Sequence, residues 1–600
     1  MKNAPKITFA LCAFCLTANL CVPVAFAEPS APAKKPAKSA VAPSSAGSSS
    51  SVAKKPAAAP SLSGGEWSDA EKLMRNLNRK VVKKFETWKP AEIDKFFKED
   101  ENRRDVARWE LARACIDGEN GAEEFKKFAK KSPPRKFLAE FSVDVDWLEG
   151  YLYSAPPQNA LFAMQLLKAF SDRDPEVKTN PVIKRIATGV AGEFSRRGWF
   201  EDEFERDDKE EARKKGPTRI YNRFKFFSES WREKRLNKLF DDLDYWDTRI
   251  IVGMTGRTND IYYGSEESLR WGQDNVKLPE AGYASARDIF QMPYRLWNKI
   301  GDSVHTSDYY APFMEWYGRN QLKRAQEVGC VCGGVSHYGM SAACANGVPA
   351  VTMGEPGHCA FAVRVGRKWH DNNSVFWDRS LHWRLWDETP WSFLHLTQEI
   401  YDDKNAFPAF RIAALARLAA ADKKPGPDVV LSVYECALEK QPRNFPVWRE
   451  YLEFAKAQKK EKNFWKKAQE KILAAYMPDY PEVAATLLCR HVYPVLFPML
   501  DKDDEKISLY VEYWNKADGA GVGGRWDAES VWDYQAQNVG DGAGASTLAS
   551  FKKTYNAKEP VAPGNDGAKQ RYKEKVGAVL ASKKDYAPHF ENWKKGGVRK

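Results

Sequence analysis

Residues 329–373 read GCVCGGVSHYGMSAACANGVPAVTMGEPGHCAFAVRVGRKWHDNN, and the order of their parts sets the fold expected at the centre of the chain. Cys332 is followed by Gly333 and Gly334, then by mostly small residues from Ser336 to Ala345, which suit a helix packed closely on a sheet. Asn346-Gly347 is a helix-stopping pair. A Gly-Val-Pro-Ala turn comes next, and His358 then opens CAFAVRV, an alternating strand. Gly366-Arg367 reads as a two-residue turn. Lys368 to Asn373 then pairs back as the next strand and brings a third polar group beside the histidine.

This order, Cys–helix–strand–His–strand–Asp/Asn, supplies what a thiol nucleophile needs. A thiolate is the reactive form, and a helix N-terminus favours it through unpaired N–H groups and the helix dipole. His358 is the base, and Asp371 or Asn373 orients the base. Residues 371 and 373 share a strand face while Asn372 points away. A carboxylate stabilises an imidazolium better than an amide does, which favours Asp371. The candidate catalytic residues are therefore Cys332, His358, Asp371 and Asn373.

The pattern resembles the transglutaminase-like superfamily, a papain-type cysteine fold, over about residues 290–390. That family places a Cys at a helix start, a GIPAR-like turn one helix later, a His opening a strand and an Asp on the next strand. Here GVPAV occupies the turn, with Val351 where the family has arginine, and Gly347 lies 15 positions after Cys332. His358 matches the family histidine and Trp369 a tryptophan common on the following strand. Family spacing favours Asn373 over Asp371, and papain-like enzymes do use Asn. Gln326, six positions before Cys332, stands at the offset of the papain-like oxyanion-hole glutamine, but transglutaminase-like families do not depend on that glutamine, and the reading favoured here is a surface residue. The resemblance implies an acyl-transfer enzyme acting on amide bonds, peptidase or amidase rather than cross-linking transglutaminase, with a peptide or protein substrate and no metal or organic cofactor.

Other cysteines have plainer roles. Cys115, Cys344, Cys359, Cys436 and Cys489 suit small buried hydrophobes. Cys330 is a rival nucleophile or a disulfide partner. Cys330, Cys332, His337, Cys344, His358, Cys359 and His370 are close in sequence, but no accepted zinc spacing links them.

The N-terminus has the pattern of an export signal. Lys2 and Lys6 precede an apolar run from Ile7 to Leu20, and Ala25-Phe26-Ala27 is a small-x-small cleavage site. Residues 1–27 therefore read as a signal peptide, and residues 28–64 as a disordered Pro/Ala/Ser/Lys linker. The expected location is periplasmic or extracellular, with no integral membrane segment after cleavage. Of the formal charge of +12, the leader carries +2 and the linker +4, so the body carries only +6, too little to argue for nucleic acid. Three of the ten cysteines fall in the leader, and the odd number left implies an unpaired thiol.

Beyond the linker the chain divides into a helical domain (65–245), the cysteine domain (246–395), a helical region resembling tetratricopeptide pairs (396–500) and an irregular helical C-terminal region (501–600). Ser68-Asp69-Ala70-Glu71 reads as a capping box for a helix with Leu73, Leu77, Val81 and Phe85 on one face. Helical patterns also occupy 105–116, 158–170, 181–194, 284–300 and 312–327, whereas Arg249–Met254 (RIIVGM) reads as a strand. Trp377, Trp383, Trp386 and Trp391 wall the core or stack on a ligand. Helices are expected over 428–440, 446–458 and 463–476, with Pro442 at a joint and Trp448 and Tyr451 after it. The fold class expected is α+β, predominantly helical, with helical, repeat-like flanks around a transglutaminase-like (papain-type) centre. The flanks offer a surface for a cell-envelope polymer or protein partner. The competing function is a non-catalytic binding or scaffolding protein with an inactive centre.

Overall fold

The computed structural model describes residues 64–84, 90–117, 121–154, 159–195, 218–254, 265–276, 292, 294–297, 320–355, 358–371, 380–385, 388–422, 425–477 and 479–501, with isolated positions from 505 to 516. The leader, most of the linker, Phe85, the charge run 201–215, Asn373, Trp377 and Trp386 lie outside these residues. The described chain is predominantly helical α+β, with one small antiparallel sheet.

Helices run over Ala70–Lys84, Asp100–Ile116, Ala160–Arg173 and Pro181–Phe194, close to the expected ranges. The first is capped one residue later than the sequence suggested. Lys72 N–H donates to the Asp69 carboxylate at 2.9 Å, while Ser68 turns back to the Gly65 carbonyl. Leu73, Leu77 and Val81 are buried as expected.

Two expected elements are replaced. Arg249–Met254 is not a strand but the end of a helix, Tyr245–Met254. Asp244 caps it by accepting from Asp247 N–H at 2.8 Å. Ile250, Ile251 and Val252 are all fully buried, so no polar face breaks the apolar run, and such a run cannot be told from a strand by periodicity. Within the expected 284–300 helix, none of the described residues is helical. Tyr294 forms a parallel bridge with Cys330, and Arg295 N–H donates to the Cys330 carbonyl at 3.0 Å.

The sheet has the order β3-β2-β1-β4-β5, with β1 (Ala350–Glu355), β2 (His358–Val365), β3 (Lys368–Asp371), β4 (Ser380–Leu385) and β5 (Glu388–Pro390). The β4–β5 hairpin falls in the tryptophan-rich stretch, where the sequence showed only aromatic density. Helix Cys332–Ala345 packs on β1 and β2, and also against the Tyr245–Met254, Glu266–Asn275 and Gln321–Val328 helices. It is buried on nearly every side, which explains its small residues and lack of a polar face.

C-terminal helices occupy Ala406–Ala420, Pro427–Lys440, Phe445–Ala457 and Lys462–Tyr476. The Pro442 joint is fixed by Trp448, whose indole N–H donates to the Pro442 carbonyl at 2.8 Å. These helices share a core with the N-terminal ones. Glu149, fully buried, receives Arg103 at 2.8 Å and Arg411 at 2.5 Å, and the Asn78 amide reaches the Leu418 carbonyl at 2.8 Å. Buried ion pairs of this kind fix which helices pack together, because a mismatched partner leaves a buried charge unpaired.

Candidate active site

Cys332 is the first residue of its helix, and Val331 at the cap position has no side chain that can satisfy the first-turn N–H groups. The helix start is therefore open to an anion. At the other end Asn346 closes the helix. Its amide donates to the carbonyls of Ala342 at 2.8 Å and Val276 at 3.3 Å, and Gly347 follows at φ 77°. Gln273 satisfies the Ala345 carbonyl at 2.8 Å. The far end is thus anchored by side chains, whereas no side chain caps the cysteine end.

Two glycines set how close this helix lies to β2 and what can reach the sulfur. A Cβ on Gly339 would stand 2.3 Å from the Phe361 ring, so the helix touches the strand there with no room for a larger residue. A Cβ on Gly333 would meet nothing within 4 Å. The space at Gly333, next to Cys332, is open.

This packing sets the sulfur over the first two residues of β2. Cys332 is in side-chain hydrogen-bonding contact with Cys359 and with His358, and also takes a backbone hydrogen bond from Cys359. The Cys359 thiol is the largest of the influences pulling the Cys332 thiol down, partial burial opposes it, and the His358 ring adds to the pull; the net result is about 5. Cys332, His358 and Cys359 are all half-buried, so solvent reaches the cluster. The strand is held from the other end. Arg364 forms a buried ion pair with Asp247 and donates to the Gly366 carbonyl at 2.8 Å, which ties the β2–β3 turn to the Tyr245–Met254 helix.

The sequence thus leads to Cys332 and His358, and the structure brings them together. It does not bring Asp371 beside the histidine. Asp371 pairs with Ala362, four residues along β2 from His358. At the rise of an extended chain that sets the two backbones about 13 Å apart. The turn at Gly366-Arg367 starts the pairing of β3 at Lys368 and Val365, and four residues carry it only halfway back along β2. Asn373 lies outside the described residues.

Cys359 is not the small buried hydrophobe that the sequence suggests. It is half-buried and touches Cys332. Its alternation with Phe361, which meets the cysteine helix, is the sequence signal that could have found it. Cys330, the rival nucleophile, is 1% exposed and sits in the bridge to Tyr294. Gln326 is no simple surface residue. It is half-buried, and its carbonyl accepts the Tyr338 hydroxyl at 3.1 Å. Leu296 and Trp297, 50% and 61% exposed, follow the Tyr294–Cys330 bridge in the parallel direction that leads along the chain to Cys332.

Among the described residues no group of His, Cys, Asp and Glu is arranged to hold a metal ion, and no helix is long and apolar enough to cross a membrane. None of the cysteines there is disulfide-bonded. Comparisons with family models, curated proteins and solved structures find no match.

Proposed function

We propose that this protein is a cysteine-dependent acyl-transfer enzyme of transglutaminase-like, papain-type design that cleaves amide bonds, and that it works outside the cytoplasm. The observation that carries the reading is the contact of a half-exposed Cys332, at an uncapped helix start, with His358. The thiolate attacks an amide carbonyl, and the oxygen that becomes negative is stabilised by N–H groups of the first helical turn. His358 holds the proton and delivers it to the leaving amine, leaving a thioester that water hydrolyses. The open space at Gly333 admits the substrate backbone, and Leu296 and Trp297 offer apolar contact beside it. For the group that orients His358, the register of Asp371 is unfavourable, and sequence spacing then points to Asn373.

The test is a screen of fluorogenic peptide amides with the wild type and Cys332→Ser. Thiol-dependent release that disappears in the variant is expected, along with a smaller loss for Asn373→Ala than for His358→Ala. A fluorescent primary amine added to the assay separates hydrolysis from cross-linking. An inert Cys332 and no release from any substrate would leave the scaffolding alternative.

A further inference from the structure

We propose that Cys332 and Cys359 form a redox-active dithiol, in which peroxide converts Cys332 to a sulfenic acid and Cys359 resolves it to a reversible disulfide. Three observations carry this. The two side chains are in direct contact at the start of the cysteine helix. Both are half-buried and so open to a small oxidant, whereas Cys330 and Cys344 are buried. The close approach of Gly339 to Phe361 holds the helix against the strand face to which Cys359 belongs, so the pair does not depend on a mobile loop.

The chemistry balances with hydrogen peroxide as oxidant. The Cys332 thiolate attacks one peroxide oxygen, the O–O bond breaks, and the departing hydroxide takes a proton to become water. The Cys359 sulfur, giving up its proton, then attacks the sulfenyl sulfur. The S–O bond breaks, and a second water leaves. Two thiols and one peroxide yield one disulfide and two waters. The lowered pKa of Cys332 makes it the sulfur that reacts first, and the low-pKa, accessible thiol beside a second cysteine is the arrangement that favours a disulfide over irreversible oxidation.

The inference rests on the proposed function only for its consequence, that acyl transfer stops while the disulfide is present. The pairing itself is read without any substrate. Wild-type protein is treated with stoichiometric peroxide, the remaining thiols are blocked, and the chain is cut after Glu327 and Glu355, which puts Cys332 and Cys359 on separate peptides; fragmentation of the linked pair then tells Cys332 from Cys330 and Cys344, which share its peptide. The expected product is a Cys332–Cys359 cross-linked pair, two hydrogens lighter than its parts and released by dithiothreitol. In Cys359→Ser a dimedone adduct on Cys332 should accumulate that the wild type scarcely forms. Sulfinic acid on Cys332 without a linked peptide, or linkage to Cys330 or Cys344, overturns the proposal. If the variant fails to fold, the wild-type cross-link map alone decides it.

Discussion

Cys332 and Cys344 stand on one helix, twelve residues and about 18 Å apart, and the fold treats them oppositely. Cys332 begins the helix, half-exposed, with His358 and Cys359 against it, and its thiol is pulled down to about 5. Cys344 ends the helix, fully buried, with its S–H directed at the Ala350 carbonyl at 3.6 Å, and burial pushes its thiol up to about 12. Residue type and helix are the same. What differs is solvent, the end of the helix dipole and the neighbours on β2. The contrast between the two thiols therefore comes from position.

The sharpest way to break this contrast is alkylation. At neutral pH Cys332 is nearly all thiolate and Cys344 almost none. After allowing for the weaker intrinsic nucleophilicity of a low-pKa thiolate, Cys332 should still react roughly 100-fold faster. Brief iodoacetamide treatment followed by peptide mapping measures this. Labelling of Cys330 or Cys344 ahead of Cys332 would remove the basis of the contrast.

How much of this was legible beforehand depends on whether the cause was local. The helix start at Cys332, its stop at Asn346-Gly347, the strand opening at His358 and the turn at Gly366 are all written in short-range signals, and all stand where the sequence put them. The sequence does not reveal the place of Cys359, because its contact with Cys332 is made by the helix that packs on β2, between residues far apart in sequence. The Tyr245–Met254 helix was misread for the converse reason. Burial on all sides erased the periodicity that distinguishes helix from strand. Strand pairing alone sets the third group beside His358 and its chemistry favours Asp371, whereas the hairpin register, fixed at the turn, decides how far along β2 residue 371 stands.

The next contrast is between the two glycines of the same helix. Gly339→Ala should cost about 1–3 kcal/mol of stability, because its methyl group forces the Phe361 ring or the helix to move. Gly333→Ala should leave stability unchanged or slightly improved, since nothing is there to clash and alanine favours helix. Urea denaturation of both variants checks this, and a loss at Gly333 equal to that at Gly339 would mean the space beside the sulfur is not open.

The role of Cys359 can be isolated by the pH dependence of Cys332 alkylation. The folded protein holds this thiol below its ordinary value of 9, so reactivity is retained down to about pH 5 and is lost as pH falls through it. By linkage the same thiolate contributes to stability in full only above the unfolded value, and that contribution fades as pH falls toward 5. Cys359→Ala should move the alkylation midpoint upward, because the largest of the lowering influences is gone. It should not restore the ordinary value, because the residue 359 backbone hydrogen bond and the His358 ring remain. An unmoved midpoint would assign the whole effect to His358 and the helix start.

The smallest expected effect concerns the substrate side of the contrast. If Cys332 is the working end of the helix and Cys344 the structural end, surface next to Cys332 should matter to turnover while surface elsewhere does not. Trp297 is 61% exposed and follows the segment bridged to Cys330, so its indole adds apolar area within reach of a bound chain without supporting the core. Replacing it by alanine should weaken binding by about 1 kcal/mol, a several-fold rise in KM, with kcat nearly unchanged because no reacting atom is touched. Leu239 is also exposed, but it lies in the short helical turn Lys238–Asp242, outside the cysteine helix and the sheet, and Leu239→Ala serves as the control with no kinetic effect. A fall in kcat for Trp297→Ala would mean that the tryptophan positions the cysteine end itself. No change in either constant would mean that the substrate approaches from the Gly333 side alone.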